Sequence, residues 1–165
     1  SNYAKILNVM KSVNDKAPHI KTLIIDDMQY IMSYEFMTSK TAGFDKFNEI
    51  AEHMFSILNL AKNMREDLNV VFLAHTEETV DSMGQKSYKI KTIGKLLDDK
   101  ITIEGLFTLV LMAEQREVGM ETQFGFRTRG TVRDTVKSPK GMFEEEYIPN
   151  DLQLVIDKIK DYNEG

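Results

Sequence analysis

Lys21-Thr22-Leu23-Ile24-Ile25-Asp26-Asp27 decides how the rest of the chain is read. Four β-branched or aliphatic residues run from Thr22 to Ile25 without alternation. That is the pattern of a strand covered on both faces in the middle of a parallel sheet. The run stops on two adjacent carboxylates. In open α/β sheets, ligands bind beyond the carboxyl ends of the strands, and carboxylates placed there suit a hydrated Mg²⁺ on a nucleotide phosphate. A buried strand closing in an Asx-type turn gives the same letters, so the flanking sequence has to choose between the two.

Downstream, the polar stretch from Ser33 to Gly43 reads as a mobile, solvent-facing segment. A long helix is predicted over 44–67, because Phe47, Ile50, Ala51, Met54, Ile57, Leu58, Ala61 and Met64 recur every three or four residues. Methionines in that stripe are core filler. Asn69 to Ala74 gives a second buried strand that ends at His75-Thr76. Strand, helix, strand is a crossover that sets the two strands parallel, so Asp27 and His75 are expected at the same edge of the sheet.

Upstream, Ala4, Ile6, Leu7, Met10 and Val13 give an amphipathic helix over 2–15, closed by Pro18. From Glu77 to Thr92 no period holds, and the charge turns from acidic to basic. A helix is expected over about 94–104 and a third buried strand over Phe107–Ala113. A hairpin is expected to pair Met120–Arg127 with an extended piece at 130–136, finishing the sheet in antiparallel fashion. Asn150 reads as an N-cap, and the last helix turns Leu152, Leu154, Val155, Ile156 and Ile159 inward.

The 165 residues are 42% hydrophobic and 28% charged, which is ordinary for one globular domain spanning 1–165. Cysteine is absent, which excludes disulfides and thiolate metal sites and fits a reducing cytoplasm. No segment reads as a membrane span or signal peptide. A net charge of -5 argues against a surface that coats nucleic acid throughout, but local basic segments exist. One holds Lys86, Lys89, Lys91 and Lys95; the other holds Arg127, Arg129, Arg133, Lys137 and Lys140.

Taken in order, "LIIDDMQYI", "VVFLAHTEE", "FGFRTRG" and "VKSPKGMF" followed by a "PNDL" helix resemble the RecA/RadA-like AAA ATPases of bacteriophages, including the Sak-type single-strand annealing ATPases. The resemblance covers nearly everything from Lys21 onward and implies a three-layer α/β P-loop NTPase core. That core has a mostly parallel sheet and an antiparallel C-terminal hairpin. No G-x-x-x-x-G-K-[ST] occurs among the nine glycines. The family places that loop ahead of the Walker B strand, so the chain is expected to begin after the first strand and P-loop of a longer parent.

The resemblance also implies roles. Asp26 corresponds to the Walker B Asp that holds Mg²⁺ through water. Asp27 stands where a carboxylate polarises the attacking water, and His75 where a polar residue senses the γ-phosphate. The loop over 76–95 corresponds to the DNA-contacting loop, with Lys86, Lys89, Lys91 and Lys95 on phosphates and Tyr88 stacked on a base. Lys137, with Arg129 and Lys140 as further candidates, matches basic residues that reach a neighbour's γ-phosphate in a ring or filament. The parent would thus use ATP and Mg²⁺, oligomerise, and act on single-stranded DNA in the cytoplasm of a bacterial host.

Each assignment has a plainer counterpart: a strand-end turn at Asp26, a backbone-bonded His75, a solvated lysine loop, exposed basic residues in a turn. His19 and His53 read as surface or boundary residues. Two other functions use the same letters. The aspartate pair with a nearby imidazole can hold metal ions for phosphodiester cleavage, and a degenerate ATPase fold can serve assembly alone.

Overall fold

The structure, a computed structural model, describes residues 2–94, 98 and 102–165. It is a mixed α/β chain with four α-helices and seven short strands among the described residues. They fall into two compact units. The first is formed by residues 1–77 and 90–103, the second by 78–89 and 104–165.

In the first unit, α1 (Asn2–Lys16) leads into β1 (Thr22–Ile25), α2 (Met28–Thr38), α3 (Phe44–Lys62) and β2 (Asn69–Phe72). β1 and β2 are parallel, with Leu23 opposite Val70 and Ile24 opposite Val71. The expected parallel pair and the connecting helix are therefore present. Full burial of the strand is not: Ile24 is 51% exposed, and the described sheet has two strands. The uninterrupted apolar run reflects β-propensity here, because a two-stranded sheet cannot be covered everywhere.

The segment after Asp27 departs furthest from expectation. Residues 33–38 belong to α2 and not to a mobile loop. Polar letters there cover the outer side of a helix whose inner side buries Met28 and Met32 completely. α3 stops at Lys62, short of 67, and Met10, Ile50, Met54 and Ile57 complete a methionine-rich core. Arg65, just past α3, donates from Nη1 to the carbonyls of Val13 (2.7 Å) and Asn14 (3.0 Å). From Nη2 it reaches Ala17 (3.2 Å) and Ile20. These are the carbonyls at the end of α1 and just beyond it; those of Val13 and Ala17 also accept from the amides of Ala17 and Ile20, whereas the helical donor position for Asn14 is Pro18, which has no N–H.

In the second unit, β5 (Met112–Val118) and β6 (Glu121–Arg127) form an antiparallel hairpin, and β7 (Tyr147–Pro149) pairs with β6 on its other side. The turn is Gly119-Met120, with Gly119 at φ 68°, a left-handed conformation suited to a tight two-residue connection. The hairpin partner of 120–127 is thus the preceding segment, not 130–136, which forms turns. The third buried strand expected at Phe107–Ala113 is replaced by a single antiparallel bridge, Val110 to Lys137, followed by β5 from Met112. Apolar letters at Leu109 and Leu111 instead pack on Met142, Phe143, Ile148 and Val155.

α4 (Leu152–Glu164) closes this core with Leu152, Leu154 and Ile159. Its N-cap is Asp151, whose carboxylate accepts from the amides of Gln153 (2.8 Å) and Leu154 (3.3 Å), and not Asn150. β3 (Thr76–Val80) and β4 (Lys86–Ile90) form a two-stranded hairpin where the sequence reads as a loop. A turn held by Asp81, which accepts from the amides of Met83 and Gln85 at 2.8 Å each, sets its register. Of the helix expected over 94–104, most lies outside the described residues; Ile103–Leu106 is a short 3₁₀ turn.

Candidate functional site at the carboxyl ends of the parallel strands

β1 and β2 both end at one edge, and the chain leaving each carries a polar side chain. The ladder continues one step past the strands: Leu73 N–H donates to Ile25 O (2.9 Å), and Met28 N–H donates to Leu73 O (2.9 Å). Between those two bonds the chain turns through Asp26 and Asp27. Asp27 adopts a left-handed conformation (φ 48°, ψ 51°), the one non-glycine residue with positive φ among those described. Aspartate tolerates this region better than most residues, and such outliers concentrate at functional sites.

The turn aims the Asp27 carboxylate across to β2. Its Oδ1 lies 2.9 Å from His75 Nε2, and both side chains remain accessible to solvent. Asp26 is exposed beside them. Gln29 completes the arrangement from the first turn of α2: its Nε2 donates to Asp27 Oδ1 (3.2 Å), and its Oε1 accepts from the His75 amide (3.2 Å). Gln29 is buried, so both ends of its amide are used where water does not reach. The sequence reading passed over this residue; a lone amide inside Met28-Gln29-Tyr30-Ile31-Met32 was the available signal. Chemically, the edge offers one free carboxylate, a second carboxylate paired with an imidazole, and a fixed orientation for both.

The other residues named from the sequence belong to later elements of the chain. Lys86 Nζ is 3.0 Å from Glu78 Oε1, and the Tyr88 hydroxyl donates to Glu78 Oε2 (3.0 Å). The Lys86 ammonium and the Tyr88 hydroxyl hold the Glu78 carboxyl below its ordinary value, while Glu78 raises the Lys86 ammonium and the Tyr88 phenol above theirs. Lys86 and Tyr88 share one face of β4, and alternation puts Lys89 on the opposite face. Lys91 follows the strand, exposed, with its amide donating to His75 O (2.8 Å). Lys95 lies outside the described residues.

In the second unit, Lys137 is half-buried and bridged through its backbone to Val110, and Lys140 is exposed. Arg129 Nη2 donates to Glu144 O (2.6 Å). Arg127 is no part of a basic surface: it is buried, with Nε on Glu114 (2.7 Å) and Nη1 on Asp134 (3.0 Å) and on Arg129 O (2.8 Å). Burial alone would raise the Asp134 carboxyl. The Thr131 hydroxyl, the amides of Val136 and Thr131 and the Arg127 charge together hold it below its ordinary value.

His19 is exposed, whereas His53 is half-buried between α1 and α2 contacts, stacked on Tyr3. Among the described residues, no helix is long and apolar enough to cross a membrane. No family model, curated protein or solved structure matches the chain.

Proposed function

We propose that the chain is the part of a RecA-like phage ATPase that follows the P-loop, with a three-layer core completed by the parent. In this reading it acts on single-stranded DNA in recombination or replication. The observation that carries the reading is the Asp27–His75 contact across the ends of two parallel strands joined by helices. In nucleotide-binding α/β sheets this edge faces the phosphates. Asp26 then holds Mg²⁺ through water, Asp27 orients the attacking water, and His75 reports the state of the γ-phosphate. An imidazole hydrogen-bonded to a carboxylate through one nitrogen keeps the other for a phosphate oxygen.

The nuclease alternative draws no support from this edge. Among the described residues, Asp26, Asp27 and His75 do not bring three ligand atoms together as Glu35, Glu49 and His53 do. DNA contact falls to the segment that carries Lys86, Tyr88, Lys89, Lys91 and Lys95, where Lys86 and Tyr88 are already held by Glu78.

The test is hydrolysis by the parent protein, expressed with its upstream coding region. Asp26→Asn should abolish Mg²⁺-dependent ATP turnover, and His75→Ala should uncouple turnover from single-stranded DNA. An upstream region without a P-loop, or turnover unchanged in Asp26→Asn, refutes the reading. So does tight Mg-ATP binding by residues 1–165 alone, because the amide cradle for the phosphates belongs to the P-loop.

A further inference from the structure

We propose that Glu35, Glu49 and His53 form a binding site for a divalent transition-metal ion of the zinc type. The three residues lie on α2 and α3, in a different part of the first unit from the Asp27–His75 edge. Glu49 and His53 stand at i and i+4 on α3, one turn apart on one face of the helix. Glu35 comes from the last turn of α2. One ligand atom from each of the three lies within 4.8 Å of both others, and all three residues are half-buried.

The donor set fits the ion. One imidazole nitrogen and two carboxylate oxygens are the ligand types that zinc accepts, and three protein ligands leave a fourth position open. Metal–ligand bonds of about 2.0–2.2 Å place tetrahedral ligand atoms roughly 3.3 Å apart. Small side-chain rotations bring the three donors to that spacing, with the ion taking the place of the direct His53 Nδ1–Glu35 Oε1 contact. Two carboxylates that converge on one imidazole in a half-buried place offer a divalent ion two opposite charges and a neutral nitrogen donor.

The surroundings orient the donors as the outer shell of a metal site does. The Thr41 hydroxyl donates to Glu49 Oε2 (2.8 Å), which restrains the carboxylate. The Tyr3 ring stacks on the His53 imidazole with centroids 3.5 Å apart and planes 14° apart, so the ring plane is set. The ligands sit on two helices, which hold them more rigidly than loops would.

The experiment titrates the purified chain, stripped of metal with a chelator, with Zn²⁺ by calorimetry and with Co²⁺ by visible absorption. Binding of one ion per chain with a visible cobalt band is expected. Glu49→Gln and His53→Ala should each weaken it by more than about a hundredfold, and Thr41→Val by about tenfold, the loss typical of an orienting partner. His19→Ala should leave it unchanged. Circular dichroism confirms that each variant keeps its helices. In the unaltered chain, saturating Zn²⁺ should shift the ring-nitrogen signals of His53, a readout that needs no variant. Absence of binding at millimolar metal overturns the proposal. Affinity retained in both ligand variants, or His53 ring signals that do not move, overturns it equally.

Discussion

His75 Nε2 and Asp27 Oδ1 lie 2.9 Å apart although 47 intervening residues separate them in the chain, because β1 and β2 run parallel and end together. The Asp27 backbone that makes this possible is left-handed. A residue without a short polar side chain is penalised there by about 1–2 kcal/mol. Asp27→Ala should therefore destabilise the first unit by about 1 kcal/mol more than Asp27→Gly does. Urea unfolding of the two variants side by side measures the difference, and equal stabilities would mean the turn is not held in that conformation.

Arg65 offers a test of how α1 is fastened. Its guanidinium serves four backbone carbonyls and is paired with Asp67 at 2.8 Å through Nε. Arg65→Ala should cost about 2–3 kcal/mol, because the Asn14 and Ile20 carbonyls lose their donor, while those of Val13 and Ala17 keep the amides of Ala17 and Ile20. Lysine, with one compact head, should recover only part of that loss.

The second unit should be sensitive to acid through Asp134. Its carboxyl is held below its ordinary value in the folded chain, so its contribution is complete above the ordinary carboxylate range, near pH 4. It is lost as pH falls through the lower, folded-state value. Asp134→Asn should lower stability at neutral pH and make the acid limb of the stability curve shallower. Arg127→Ala, which strands two acids on a buried network, should cost about 3 kcal/mol.

Gly125 is required by close approach. A Cβ there would sit 2.4 Å from Ile148 O and 2.4 Å from the Tyr147 ring. Tyr147 cannot withdraw freely, since its hydroxyl donates to Glu114 O (3.1 Å) and Arg116 covers its face at 3.9 Å. Gly125→Ala should destabilise the second unit by about 2–3 kcal/mol, visible as a lower melting temperature with β7 losing its protection from hydrogen exchange.

The first unit was largely legible because its signals are local and strong. Helical spacing announced α1 and α3, and apolar runs announced β1 and β2, whose connection then fixed their direction. α2 was hidden because Met28-Gln29-Tyr30-Ile31-Met32 joins a polar continuation, and its inward side is carried by two methionines with no broader stripe. The hairpin at 76–90 was hidden for a similar reason. With both faces largely solvated, β3 and β4 show no alternation of hydrophobicity.

At the edge of the sheet, Asp27 and His75 could be paired from topology alone, whereas Gln29 could not, since nothing local says which way an amide in an apolar segment points. The basic segments misled because charge in a sequence does not reveal its partners. Glu78 lies eight residues before Lys86, and Glu114 lies thirteen before Arg127. In each case strand pairing, absent from the letters, brings acid and base together.

Because α2 starts directly after Asp27, with no slack between strand and helix, a single stiff rod carries Gln29 at one end and Glu35 near the other. Six residues of α-helix separate the two by about 9 Å along the axis. The length of that rod, and not a flexible tether, fixes the spacing between the amide that props the aspartate and the imidazole and the carboxylate near the other end.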